Sequence, residues 1–387
     1  MKMLAVLLFF SLPLLAQPEC TGNSLLISWP ENDPVFEFCA TRPSLSSGPD
    51  GSGVEIYDVY YRERLVFKRA HVPILNVDYE PGGCGCFRDW LDSENRFRTD
   101  NQIADGFYEP TFPAETVCDH SSSAPPGDCP WGGPGPCNNG VAIERYPTQL
   151  VLTSHAQAGW YRYSMRWTFR LDGTILPRFG FSIVDTSCSA ATHRHHAYWR
   201  FDWDIDGPEQ DYVLQKTGLS EAGSPISTEG FMNSESSNFW EVYDRQTERG
   251  YRITPGPGDR SLPPDTFSKL DFMVSRYHPG EFSDSGGGCA INPNSIANGE
   301  SVLDTDLVTY YRGGVQDVVN VDIFKCKVAG PTLTPINWVP SVCGELSFAE
   351  VTAIWNGPEE FYDANSNGRV DVQDLVLLMV NKCHIGP

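Results

Sequence analysis

Beyond residue 16 the chain has no apolar run approaching the roughly 20 residues that span a bilayer as a helix. Basic residues are scarce as well: 28 Lys and Arg stand against 50 Asp and Glu, a formal charge of −22. That balance excludes nucleic acid, whose phosphates would be repelled, and makes cations the natural partners. Helical periodicity is nearly missing between residues 50 and 340, where short alternating runs are separated by Gly, Pro and Asn turns. An all-β chain is expected, built as a large antiparallel β-sandwich. Cysteine is plentiful at 12 residues. Residues 1–16 read as a secretory signal, with Lys2 before an apolar stretch and cleavage after Ala16, so the mature chain is expected to be secreted. In that compartment an even cysteine count favours disulfides over zinc. Their connectivity stays open, because Cys84 and Cys86 are too close to imply partners.

Strands are expected over 54–61, 64–69, 72–79, 148–154, 161–171 and 175–184, and from His193 onward. Later ones fall near 239–244, 269–275, 306–311 and 318–325. The stretch 193–207, HRHHAYWRFDWDIDG, carries the most chemistry. Read with a period of two, it places His193, His195, Ala197, Trp199, Phe201, Trp203 and Ile205 on one face. Two imidazoles two residues apart on a strand can reach one metal ion. On the other face Asp202, Asp204 and Asp206 suit a hard cation such as calcium. They begin like an EF-hand loop, but the closing position is Val213, so a helix–loop–helix site is not expected there.

Composition changes near residue 342. Ser347 and Glu350 have capping-box spacing before an apolar helical pattern. Asp363, Asn365, Asn367, Gly368, Arg369, Asp371 and Asp374 then occupy positions 1, 3, 5, 6, 7, 9 and 12 of a calcium loop, Arg369 through its carbonyl. An apolar helix is expected after it. With Asp374 as the closing acid, the unit resembles half of a dockerin module, which implies a cohesin-like partner; a dockerin has two such loops and this chain has one. The expected division is therefore 1–16 signal, 17–341 β-sandwich and 342–387 calcium-loop tail.

Several motifs together resemble the catalytic domain of copper amine oxidases. His193, His195, Arg200, Asp202, Asp204, Asp206 and Gly207 follow its H-x-H and R-x-D-x-D-x-D-G pattern. Upstream, Gly159 to Tyr163, Trp167, Phe169, Asp172, Gly173 and Ile175 follow its precursor strand, with Trp160 and Arg162 where the family has Asn and an acid. The resemblance covers about residues 50 to 340 and includes Leu333, Thr334, Pro335 and Asn337 near the end. It implies a sandwich in which Tyr161 is converted to topaquinone, with copper held by His193, His195 and, where the family has its third histidine, Asp317. Tyr79, in VDYE, would hydrogen-bond the quinone, and Asp105, in DGFY, would be the base. A calcium site would use Asp202, the Trp203 carbonyl, Asp204, Asp306 and the Leu307 carbonyl. The family forms homodimers, so one is expected here.

The expected activity is oxidative deamination of a small primary amine by O2 to aldehyde, ammonia and hydrogen peroxide. Two other classes fit the residues. One is a catalytically lapsed, calcium-stabilised protein used for binding or surface display. The other is a mononuclear metal oxygenase built on His193, His195 and Asp317, a donor set that suits iron or zinc as well as copper.

Overall fold

The computed structural model describes residues 17–48, 51–80, 84–89, 91, 96–97, 102–104, 106–110, 138–158, 160–183, 188, 191–232, 239–256, 259, 271–281, 296–318 and 327–338. Among them are strands, one 3-10 turn at Pro43–Leu45 and no α-helix. The expected signal segment and calcium-loop tail, including Asp363, Asn365, Asn367, Arg369, Asp371 and Asp374, lie outside the described residues, as does Asp105.

The strands form two large sheets. One runs in the order Leu25–Trp29, Phe36–Thr41, Glu55–Tyr61, Arg64–Tyr79, His193–Trp203, Leu307–Asp317, Phe272–Arg276 and Gly230–Met232, with Cys86–Asp89 also paired to Arg64–Tyr79. The other is centred on Gln149–Ala158, Tyr161–Arg170 and Ile175–Ile183 and extends through Thr332–Ile336 to Ser224–Ile226. Pairing is antiparallel except where Val141–Arg145 meets Phe107–Tyr108. The expected antiparallel sandwich is the fold observed.

Alternation explains why the sheets face each other. Tyr163, Met165, Trp167 and Phe169 from one strand and Ala197, Trp199, Phe201 and Trp203 from another enter a single core. The Trp167 and Trp199 rings meet edge to face at 5.1 Å across the gap. Burial of each such side chain contributes on the order of 1.5–3 kcal/mol.

Three features depart from the sequence expectation. Residues 64–69 and 72–79 are one strand, Arg64–Tyr79, which keeps its pairing through a bulge beside Pro73. A bulge accommodates the proline because it removes the need for one ladder donor. The strand expected at 306–311 continues to Asp317, and the one at 318–325 lies mostly outside the described residues. The polar face of His193–Trp203 is as buried as the apolar one. Tyr310, Met273, Ile296 and Ala297 pack over that face with Tyr198, and Arg200 is held there by Asp202 at 3.2 Å.

Five described cysteines are disulfide-bonded, with Cys20 joined to Cys39 and Cys84 to Cys188. The second bond ties the chain just beyond Tyr79 to the chain just before His193. No helix of the described residues is long and apolar enough to cross a membrane.

Candidate functional site

The register of the first sheet aligns three of the expected residues. His193 stands opposite Tyr79 on one neighbour and opposite Asp317 on the other. Tyr161 comes from the facing sheet, at the start of a strand whose inward phase it shares with Tyr163. Its ring lies 4.5 Å from that of His195, edge to face, and 5.3 Å from that of His193. Its hydroxyl meets the Tyr79 hydroxyl at 2.5 Å, and the Trp160 indole N–H donates to Tyr79 at 3.0 Å. Trp160 therefore joins the site by holding Tyr79.

Both histidines are fully buried. Burial pushes His193 down to about 4 and His195 well below the usual imidazole range, so both rings are neutral at physiological pH. His193 Nδ1 lies 2.7 Å from the Ala191 carbonyl, which can only accept, so that nitrogen carries the proton. The Nε2 atoms of both rings are buried without a hydrogen-bond partner. Two unpartnered imidazole nitrogens in one core are a poor resting state for a protein and a good one for a metal ion, which would satisfy both. The pair thus fits copper. Asp317 Oδ2 is 3.9 Å from His193 Nε2, within reach of a third-ligand role after a small side-chain shift.

Tyr161 is suited to conversion in position rather than in acidity. Burial and the Tyr79 hydroxyl raise its phenol far above the ordinary value, so the metal-free site holds it protonated.

A carboxylate that sequence reading missed also belongs here. Asp89 is buried at the end of Cys86–Asp89 and accepts the Tyr163 hydroxyl proton. Burial raises it to about 6, against the lowering effect of that hydrogen bond. Its signal was faint: in sequence, Asp89 alternates with the apolar Phe87 and Leu91.

The acidic cluster takes as its third member Asp306, which the resemblance implies, rather than Asp206, which the strand pattern suggests. Asp202, Asp204 and Asp306 have carboxylate oxygens all within 4.8 Å of one another. Asp206 turns away in a positive-φ conformation and accepts Arg249 at 2.5 Å. Burial first, and then the neighbouring carboxylates, push Asp204 up to about 8 and Asp306 up to about 7. Asp306 Oδ1 is buried without a partner. Carboxylates gathered this closely fit calcium, a hard dication that takes oxygen ligands. Trp203 and Leu307, whose carbonyls were expected to complete the set, are paired directly across the ladder.

Glu229, His278 and Glu300 are equally close. There the Glu229 carboxylate is filled by backbone donors, Arg276 N–H at 2.8 Å and Asn298 N–H at 2.7 Å among them, while His278 pairs with Glu300 at 2.6 Å. That group clamps a loop. By contrast, His193, His195 and Asp317 together are more widely spaced than either cluster.

No protein-family model matches the chain. No curated protein matches it by sequence. Solved structures do. An amine oxidase from Aspergillus nidulans superposes with a TM-score of 0.52 at 17% identity, over 79% of this chain and 51% of that one. A copper-containing benzylamine oxidase from Hansenula polymorpha gives 0.55 at 16% identity, over 85% and 63%. The chain spans about half to two thirds of the length of these structures. At such identities the likeness establishes architecture, and it establishes that the chain has the β-sandwich fold of copper amine oxidases.

Proposed function

We propose that the chain is a secreted primary amine oxidase that uses copper and a topaquinone made from Tyr161 to turn a small primary amine and O2 into aldehyde, ammonia and hydrogen peroxide. One observation carries this reading: the buried Tyr161 ring faces two neutral imidazoles whose Nε2 atoms have no partner. Once bound, copper would supply oxygen activation at the tyrosine ring, and the quinone would supply an electron sink for the amine.

The chain's own residues have separable tasks. His193 and His195 hold the ion, with Asp317 as third donor. Tyr79 orients the Tyr161 ring through the hydroxyl contact, and Trp160 fixes Tyr79. Asp105 is assigned to α-proton removal by resemblance alone. The buried walls of Phe179, Phe181 and Tyr163 exclude water. Calcium at Asp202, Asp204 and Asp306, with the Trp203 and Leu307 carbonyls, ties the far end of the histidine strand to its neighbour, and a second calcium ion is assigned to the loop 363–374 by its sequence pattern. A homodimer and a cohesin-like partner for the tail belong to the same reading.

The test is aerobic reconstitution with copper. Wild-type protein should develop a visible band that phenylhydrazine shifts, and Tyr161→Phe should not. Copper-loaded wild type that stays colourless and ignores the hydrazine rules the oxidase out. A second reading, a mononuclear oxygenase, draws on Asp317 opposite His193, since two histidines and one carboxylate are an iron(II) donor set.

A further inference from the structure

The Tyr163 hydroxyl lies between two groups, the Asp89 carboxylate, with which it is hydrogen-bonded, and His195 Nδ1 at 3.3 Å. Tyr163 is fully buried. A phenol has one proton to give, and an ionised carboxylate can only accept. The proton therefore goes to Asp89, and the phenol oxygen meets His195 as an acceptor. That choice puts the imidazole proton on Nδ1 and leaves the lone pair on Nε2, the atom that has no partner. Remove the acceptor at Asp89 and the order reverses: Tyr163 donates to Nδ1, and the proton moves to Nε2.

We propose that Asp89 is a positioning residue that acts through Tyr163 to fix the His195 tautomer and so prepare Nε2 for a divalent metal ion. The proposal rests on His193 and His195 being metal ligands and is independent of whether Tyr161 becomes a quinone. His193 reaches the same state by a shorter route, donating straight to the Ala191 carbonyl. The two ligands are thus set by different partners, one a fixed backbone group and the other a side chain two bonds removed. Partners of this kind beyond the ligands typically change metal affinity by about 10–100-fold.

The tautomer is read without metal, on histidine-15N-labelled protein at pH 7.5, with the His195 signal identified from a His195→Gln sample. Wild type should show His195 protonated at Nδ1, and Asp89→Leu, which removes the acceptor, should show it protonated at Nε2. Anaerobic cobalt(II) titration, which cannot oxidise Tyr161, should give Asp89→Leu and Tyr163→Phe affinities each lower by about tenfold or more. The double variant should be no weaker than Tyr163→Phe alone, and Asp89→Glu should recover part of the loss. An unchanged tautomer and cobalt affinity in Asp89→Leu that melts cooperatively overturns the proposal. So does an Asp89→Leu protein that binds cobalt like wild type but has lost turnover, because Asp89 would then be the base. Additive losses in the double variant would equally rule out action through Tyr163.

Discussion

The hydroxyls of Tyr79 and Tyr161 meet at 2.5 Å across the gap between the two sheets. Each belongs to a different layer, so the contact sets the orientation of one ring by the position of the other layer. Tyr79→Phe removes it and leaves a buried phenol with one fewer partner. The expected cost is about 1–3 kcal/mol in the metal-free protein, measured by urea unfolding. A midpoint equal to that of wild type would show that water replaces the lost hydroxyl.

Metal content separates the histidine pair from the acidic cluster. Wild-type protein should carry one transition ion, and His193→Ala should carry none, since a single imidazole at Nε2 is a weak anchor. Calcium should be unaffected. Elemental analysis of the two proteins side by side checks this, and equal transition-metal content in both would remove the site.

The acidic cluster should make stability depend on calcium. An ion present at about 100 times its dissociation constant adds about 2.7 kcal/mol to a protein that binds it only when folded. Asp204→Ala and Asp306→Ala should lower the melting temperature in calcium and should respond less to a calcium-selective chelator than wild type does. A full chelator response in both variants would move the calcium elsewhere.

Acid should also weaken the fold through a pair beside the acidic cluster, reached through Arg69, which stands opposite Asp202. Glu55 and His71 are buried side by side, with Glu55 accepting from Ser47 and paired with Arg69. Burial alone would raise Glu55, but His71, Arg69 and Ser47 bring it down to about 2, while burial pushes His71 down to about 4. Both folded-state values lie below the unfolded ones. The stability they contribute is complete above about pH 6.5 and is lost as pH falls, first through the His71 range and then through that of Glu55. Urea midpoints between pH 7 and 4 should decline in wild type and decline less steeply in His71→Asn, with the buried His193 and His195 supplying the remaining slope. Parallel slopes would place the acid sensitivity in other groups.

Much of this was legible in the chain because a β-strand writes its faces in alternate residues. The phase of 193–205 put His193 and His195 in the core, and that of 161–171 did the same for Tyr161. Contacts that depend on two distant segments were not legible. The resemblance alone names Asp306 for the acidic cluster; the alternation of the strand points to Asp206, which sits at a positive φ and pairs with Arg249. Asp89 acquires its role from Tyr163, 74 residues away. The buried polar face of the histidine strand depends on loop residues such as Ile296 that come from another part of the chain. Asp105 lies outside the described residues.

The irregular pairing of Arg64–Tyr79 with His193–Trp203 also matters for folding fidelity. The register steps by one residue between Tyr198 and Arg200 and again between Asp202 and Trp203. A one-residue slip of a uniform ladder turns every side chain to the opposite face, which is costly here because both faces of His193–Trp203 are buried. The two steps add to that cost, since a displaced strand would carry its extra residues away from the places that accommodate them. The strand that delivers Tyr79 is therefore keyed to its neighbour like a notched shaft. A slip that set Asp78 opposite His193 would turn Tyr79 away from Tyr161.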